Sequence, residues 1–295
     1  GIVLITTRRG EESKPQVNIK VETGVTSPVK LPEMADTKEF IDFFNDMHIN
    51  SGGSIQIEPF EEEMYLSGED PDLYPSVDWV KEIFKRQAMT TKANVSVTGG
   101  TKNVRYYVGG SYYLEDGILN TVSSDRFDAN MSYQRFNFRT NVDINLTKST
   151  VLGMNLSTQF TVKNAPGHGL DNVLANTMRL TPIAIPTVYS DGTLAAFNAG
   201  EGIGNPYNYL NETGYSNVSS SVAQSTLTLE QDFSEIITEG LTARIAFSFD
   251  ATNTSTINRV ISPKTFEANG RDPLTNELLF KPVAETSGYI TLNSV

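Results

Sequence analysis

Cysteine is absent from the 295 residues, histidine occurs twice and tryptophan once. The first absence excludes a disulfide framework and thiolate zinc sites, and it fits a reducing cytosol or a bacterial envelope equally well. His48 and His168 stand far apart with no His or Cys companion at ligand spacing, which argues against a metal centre. Cationic residues are outnumbered, 23 against 35, for a net charge of -12, and the sequence shows no run of Lys and Arg that would neutralise phosphates. No nucleic-acid partner is therefore expected. Apolar runs long enough for a membrane helix, roughly 18 residues, are missing, as is a signal-peptide pattern. Membrane-crossing strands carry a much weaker signature, so a membrane stays open as an environment.

What is present is alternation. Hydrophobic residues make up only 38% of the chain, while Ser, Thr, Asn, Gly and Tyr are plentiful, a mix that suits strands and turns. In RFNFRTNVDINLT, Phe136, Phe138, Thr140, Val142, Ile144 and Leu146 alternate with Asn137, Arg139, Asn141, Asp143 and Asn145. One face of this strand is oily and the other wet. The pattern restarts after Ser149 with Leu152, Met154, Leu156, Phe160 and Val162, so the two runs read as an antiparallel hairpin. A second pair flanks EIITEG, a third flanks GGTKN, and an isolated run covers Val17 to Val25. Several runs reach about 10 residues, which suits a strand crossing a bilayer at a tilt.

The connections divide into two classes. Those near 100–103, 147–150 and 235–240 are tight, whereas those at 26–92, 115–128, 164–220 and 252–285 are long. Counting strands up and down, every long connection falls at one end of the sheet, the arrangement of an outer-membrane barrel with short inner turns and long external loops. The expected fold class is all-β: part of a transmembrane antiparallel β-barrel whose external loops contain short helices. DTKEFIDFFNDMHI, 36–49, has helical spacing behind an Asp36 or Thr37 N-cap, and VDWVKEIFK is a second candidate helix. The 26–92 segment holds more than twice as many acidic as basic residues, which reads as a solvated external face.

Candidate sites are sparse. Glu61, Glu62 and Glu63, or Asp70, Asp72 and Asp78, have the chemistry for calcium or paired-carboxylate work, but no companion set completes either. GEGIGNP has the glycines of a phosphate loop without a strand before it or a helix after it. No catalytic residues, metal ligands or cofactor sites are therefore assigned, and the chain is not read as an enzyme. Trp79, Tyr74, Tyr189, Tyr207 and Tyr209 fall in the long loops, where rings either stack on sugar faces or pack the loops together. By parity Tyr106, Tyr112 and Phe138 face lipid or its interface, and Arg105, Asn137, Arg139, Asn141 and Asp143 face the lumen.

An ordered set of segments, GIVLITTRRG, YPSVDWVKEIFK, ANVSVTGGTKNVRYYVGGSYYLEDGIL and RFNFRTNVDINLTKSTVLGMNLS, resembles the SusC/RagA family of TonB-dependent outer-membrane transporters of Bacteroidetes, from residue 1 to about 250. The resemblance implies that 1–10 is the last strand of a plug domain, 11–16 a linker, and 17–295 the first strands and external loops of a barrel that closes with 22 strands. On that reading the chain is a fragment lacking most of the plug, most of the barrel and the segment that contacts the TonB complex. The implied function is active import of a nutrient, an oligosaccharide or a peptide, across the outer membrane of a Gram-negative bacterium, with a SusD-like surface lipoprotein as partner. A soluble β-sandwich carbohydrate-binding module is the alternative, and it requires the apolar faces to be buried between two sheets.

Overall fold

In the computed structural model, residues 8–122, 126–196, 203–284 and 287–294 are described. The chain forms strands β1 (Ser13–Thr26), β2 (Ala88–Gly100), β3 (Val104–Asp116), β4 (Ser132–Asn145), β5 (Thr150–Pro166), β6 (Gly214–Asp232) and β7 (Thr242–Ser262). A small hairpin follows, β8 (Thr265–Arg271) with β9 (Leu278–Ala284), and then β10 (Ser287–Ser294). Strands β1 to β7 run in sequence order as one antiparallel meander, and β10 adds next to β7 to complete an eight-stranded sheet.

Register keeps the faces continuous across the sheet. Ile19 lies opposite Val95, Val95 opposite Gly110, Gly110 opposite Phe138 and Phe138 opposite Thr158. Because side chains alternate with period 2, this pairing puts every oily position of the sequence pattern on one side. The tight turns have local reasons. Thr101 Oγ1 accepts from the backbone N–H of Asn103 and Val104, and Asp232 Oδ1 accepts from Ser234 N at 2.8 Å at the start of the β6–β7 connection.

Long connections differ from the sequence expectation in extent. β6 starts at Gly214 and β7 runs to Ser262, so both continue well past the apolar positions. The added part of β6, NVSSSVAQST, is mostly polar on both faces, which is why alternation does not reveal it. β8, β9 and β10 lie in what the sequence reading treats as loop and beyond it.

Among the described residues five helices sit in the long connections: α1 (Thr37–Asn50), α2 (Pro59–Ser67), α3 (Trp79–Ile83), α4 (Leu170–Arg179) and α5 (Pro206–Asn211). Asp36 is the N-cap of α1, accepting from Glu39 N at 2.8 Å while Glu39 accepts from Asp36 N, a reciprocal box. α2 has Pro59 in its first turn and ends on Gly68 at φ 70°, where a side chain would be strained.

Among the described residues, the buried apolar clusters lie in these long connections, which pack together as a cap. Val80, Ile83 and Phe84 from the first long connection meet Leu119, Val173 and Leu210 from the next two. Trp79, Leu180, Ile185, Tyr189 and Ala195 form a second cluster. The oily face of the sheet is bare by contrast, with Ile19, Phe138, Leu156, Leu227 and Phe247 all substantially exposed. Among the described residues no second sheet covers it. A β-sandwich would bury these side chains, so the arrangement favours an apolar surrounding over water.

Candidate functional site

Arg105, Asn137, Arg139, Asn141 and Asp143 all lie on the wet face. Arg105 stands opposite Asp143, Tyr107 opposite Asn141, and Ser111 opposite Asn137. Asn137 Nδ2 donates to Ser111 Oγ at 2.9 Å, and Arg105 Nη2 reaches Asn145 Oδ1 at 3.4 Å. Asn141 and Asp143 are only 3% and 8% exposed because the segment leading into β1 crosses over them. Asn141 Nδ2 donates to the Arg8 carbonyl at 2.5 Å, and Arg9 pairs with Asp143. At Gly10 a Cβ would stand 2.1 Å from Tyr106 N, so only glycine lets the crossing segment lie this close to β3. Residues 1–7 of the expected plug strand fall outside the described residues. Next to the crossing segment is a cleft of about 630 Å³ lined by Asn94, Ser96, Asn137, Arg139, Ser157 and Gln159 among others.

The loop aromatics do not form one platform. Trp79 and Tyr189, 3% and 4% exposed, lie inside the second apolar cluster, with Tyr207 against its edge. Trp79 Nε1 donates to the Thr181 carbonyl, and Tyr189 Oη accepts from Ala268 N at 2.8 Å while its ring meets Phe280 at 5.0 Å. Tyr74 packs edge-on against Tyr65, and Tyr209 packs against His168 and the first cluster. Burial raises the phenol pKa of Tyr189 and Tyr207 and lowers that of the His168 imidazole, since each charged form loses water. Tyr74, Tyr207 and Tyr209 retain partial exposure, unlike Trp79 and Tyr189.

The acidic residues raised as calcium ligands have another use. Arg271 Nε and Nη2 donate to Asp70 Oδ2 and Oδ1 at 2.8 and 2.7 Å, and Nη2 also reaches Asp72 Oδ2 at 2.9 Å. Asp72 further accepts from Ser190 N and Oγ. The guanidinium holds the Asp70 carboxyl below the usual carboxylate range. Three long connections are thereby tied at one point. Sequence reasoning missed this knot, because Asp70 and Arg271 are 201 positions apart. GEGIGNP is also corrected: helix α5 does follow it, with Asn205 as its N-cap accepting from Tyr207 N. Residues 200–202 of that motif fall outside the described residues.

A bare apolar face, a polar opposite face and long connections confined to one end define the wall of a transmembrane antiparallel β-barrel. No protein-family model matches the chain. It is 29% identical over 210 residues to TonB-dependent receptor P26 of Formosa agariphila, spanning 70% of this chain and 18% of that receptor. It is 25% identical over 157 residues to TonB-dependent receptor SusC of Bacteroides thetaiotaomicron, spanning 52% of this chain and 14% of SusC. The solved structure of the RagAB peptide transporter superposes with a TM-score of 0.59 at 17% identity, covering 86% of this chain and 30% of the solved one. The chain is thus SusC/RagA-like, and it spans less than a fifth of the length of the curated relatives it matches.

Proposed function

We propose that the chain contributes wall and external loops to a TonB-energised importer in the outer membrane of a Gram-negative bacterium. The carrying observation is the two-faced wall: Ile19, Phe138 and Phe247 are bare on one side, and Asn141 and Asp143 are covered by the chain's own leading segment on the other. Residues 1–10 then end a plug, 11–16 link it to the wall, and 17–295 supply barrel strands and loops. The cargo read here is an oligosaccharide, engaged by partly exposed loop rings such as Tyr74, Tyr207 and Tyr209, with a SusD-like lipoprotein above and the TonB complex supplying energy. A peptide cargo is the second reading, favoured by the likeness of fold to a peptide transporter. No catalytic step is assigned, in keeping with relatives named as receptors and a transporter.

The test is a clean deletion of the gene, followed by fractionation and growth on oligosaccharides or on peptides as sole carbon source. The expected result is an outer-membrane protein whose loss abolishes growth on one class, with the same loss in a TonB-deficient strain. A protein found in the soluble fraction overturns the reading.

A further inference from the structure

Near the long-loop end of the wet face, two cations and two phenol rings interlock. Arg135 lies opposite Tyr113, and Lys163 opposite Tyr133, in adjacent rungs. The Arg135 guanidinium carbon is 5.6 Å from the Tyr113 ring centre, and Lys163 Nζ is 5.9 Å from that of Tyr133. The two rings meet edge-on at 6.1 Å. Arg135 and Lys163 are diagonal neighbours, which places their Cα atoms about 7–8 Å apart, close enough for both side chains to reach one small group.

Both cations lack an acidic partner among the described residues. Arg135 Nε is buried without a hydrogen-bond acceptor, so no carboxylate or carbonyl of the described residues fixes the guanidinium through that nitrogen. Glu115, on the same rung as Tyr133, is occupied by the Tyr113 hydroxyl at 2.8 Å. Lys92, opposite Tyr113 on one side and Glu22 on the other, adds a third cation that Glu22 offsets. In a chain of net charge -12 this is a local reversal of sign. The crossing segment does not account for it. That segment's contacts lie at Asn141 and Asp143, six residues along β4 from Arg135 and so about 20 Å away.

We propose that Arg135 and Lys163, oriented by Tyr113 and Tyr133, bind an acidic group, a carboxylate or a sulfate, carried by an oligosaccharide cargo. This rests on the importer reading. A sugar fits better than an acidic peptide because the adjoining cleft offers mainly amides and hydroxyls, among them Ser111, Asn137, Ser157 and Gln159, to meet ring hydroxyls.

The experiment uses the intact transporter in detergent on an array of neutral, carboxylated and sulfated oligosaccharides and acidic peptides, followed by calorimetry on the retained compounds. Retention of acidic sugars is expected, with affinity falling about tenfold for R135Q and further for R135Q/K163Q, since each removes a charged hydrogen bond. Carboxylated and sulfated arms identify which acid is preferred. A conservative R135K variant, which keeps the charge, retains part of the affinity. Circular dichroism and heat-modifiable gel migration establish that each variant is folded. Retention of neutral sugars alone, of peptides alone or of nothing overturns the proposal, as does unchanged affinity in a folded R135Q/K163Q protein. Outer-membrane fractionation and TonB-dependent uptake in the same strain separate that outcome from failure of the importer reading.

Discussion

Asp70 and Arg271 meet in a two-pronged ion pair that fastens the β8–β9 hairpin to the 68–78 loop, with Asp72 sharing the same guanidinium nitrogen. Asp72 in turn holds Ser190 by its backbone and its hydroxyl. The cap therefore has an electrostatic fastening as well as apolar clusters.

Arg271→Ala leaves Asp72, nearly inaccessible to solvent, without its cation. The pairing is only partly buried on the Arg271 side, so the loss falls below that of a fully buried pair, at about 2 kcal/mol. Hydrogen exchange is expected to accelerate in 265–284 and around Ser190 while the β2–β5 ladder keeps its protection. Uniform protection across both regions in R271A would show that the apolar contacts of Phe266 and Phe280 suffice.

The same pair sets a pH dependence. Arg271 lowers the Asp70 pKa, so the folded state binds this proton less readily than the unfolded chain. Its contribution is complete above the ordinary aspartate range, about pH 4, and is lost as pH falls through the lowered value. Hairpin protection measured from pH 7 downward should hold to about pH 4 and fail below it, and D70N should remove the Asp70 share of that dependence. Loss of protection between pH 5 and 7 would point to another group.

Asp143→Asn removes the charge that Arg9 meets on the wet face. Asn141 still holds the Arg8 carbonyl, so the crossing segment is loosened and not freed. Trypsin cleavage after Arg8 or Arg9 is expected to rise several-fold in D143N, and about tenfold more in D143N/N141A, where the remaining hydrogen bond is also gone. Equal cleavage rates in wild type and the double variant would mean that the close fit of Gly10 on β3 alone fixes this segment.

Strand positions and the one-sidedness of the long connections are legible in the sequence because a wall between lipid and water needs strict alternation over many residues. Phe138 and Asn137 differ in environment although they are adjacent, and period 2 records that. Helix α4 is harder to read, since Gly169 at its N-cap, φ 80°, offers no side-chain acceptor. The upper half of β7 escapes for a related reason: Asn253 and Ser255 continue the face of Phe247 and Phe249 without its hydrophobicity. Site geometry was least legible. Tyr189 and Trp79 are aromatic residues in loops like Tyr74, and only tertiary packing separates the buried rings from the partly open ones. The pairing of Arg135 with Tyr113 likewise depends on register, which the hairpin pattern implies, whereas the unmatched Arg135 Nε is a three-dimensional fact.

The sidedness of the wall yields the sharpest discrimination. Phe138 and Asn137 occupy neighbouring positions of β4, with Phe138 opposite Gly110 and Thr158 in the apolar belt, and Asn137 opposite Ser111 and Gln159 on the wet face. A lysine at 138 would place an ammonium in hydrocarbon, costing roughly 2–4 kcal/mol if the position is near the midplane. A lysine at 137 would meet water and amides, and costs little. Refolding of the intact protein into phosphatidylcholine vesicles, followed by urea titration, should give F138K a lower midpoint than wild type and leave N137K close to it. Phe247→Lys, in the same belt on β7, should behave like F138K. If N137K were the damaged variant and F138K the tolerated one, the apolar face would be the inner one, and the assignment of lipid and lumen would have to be exchanged.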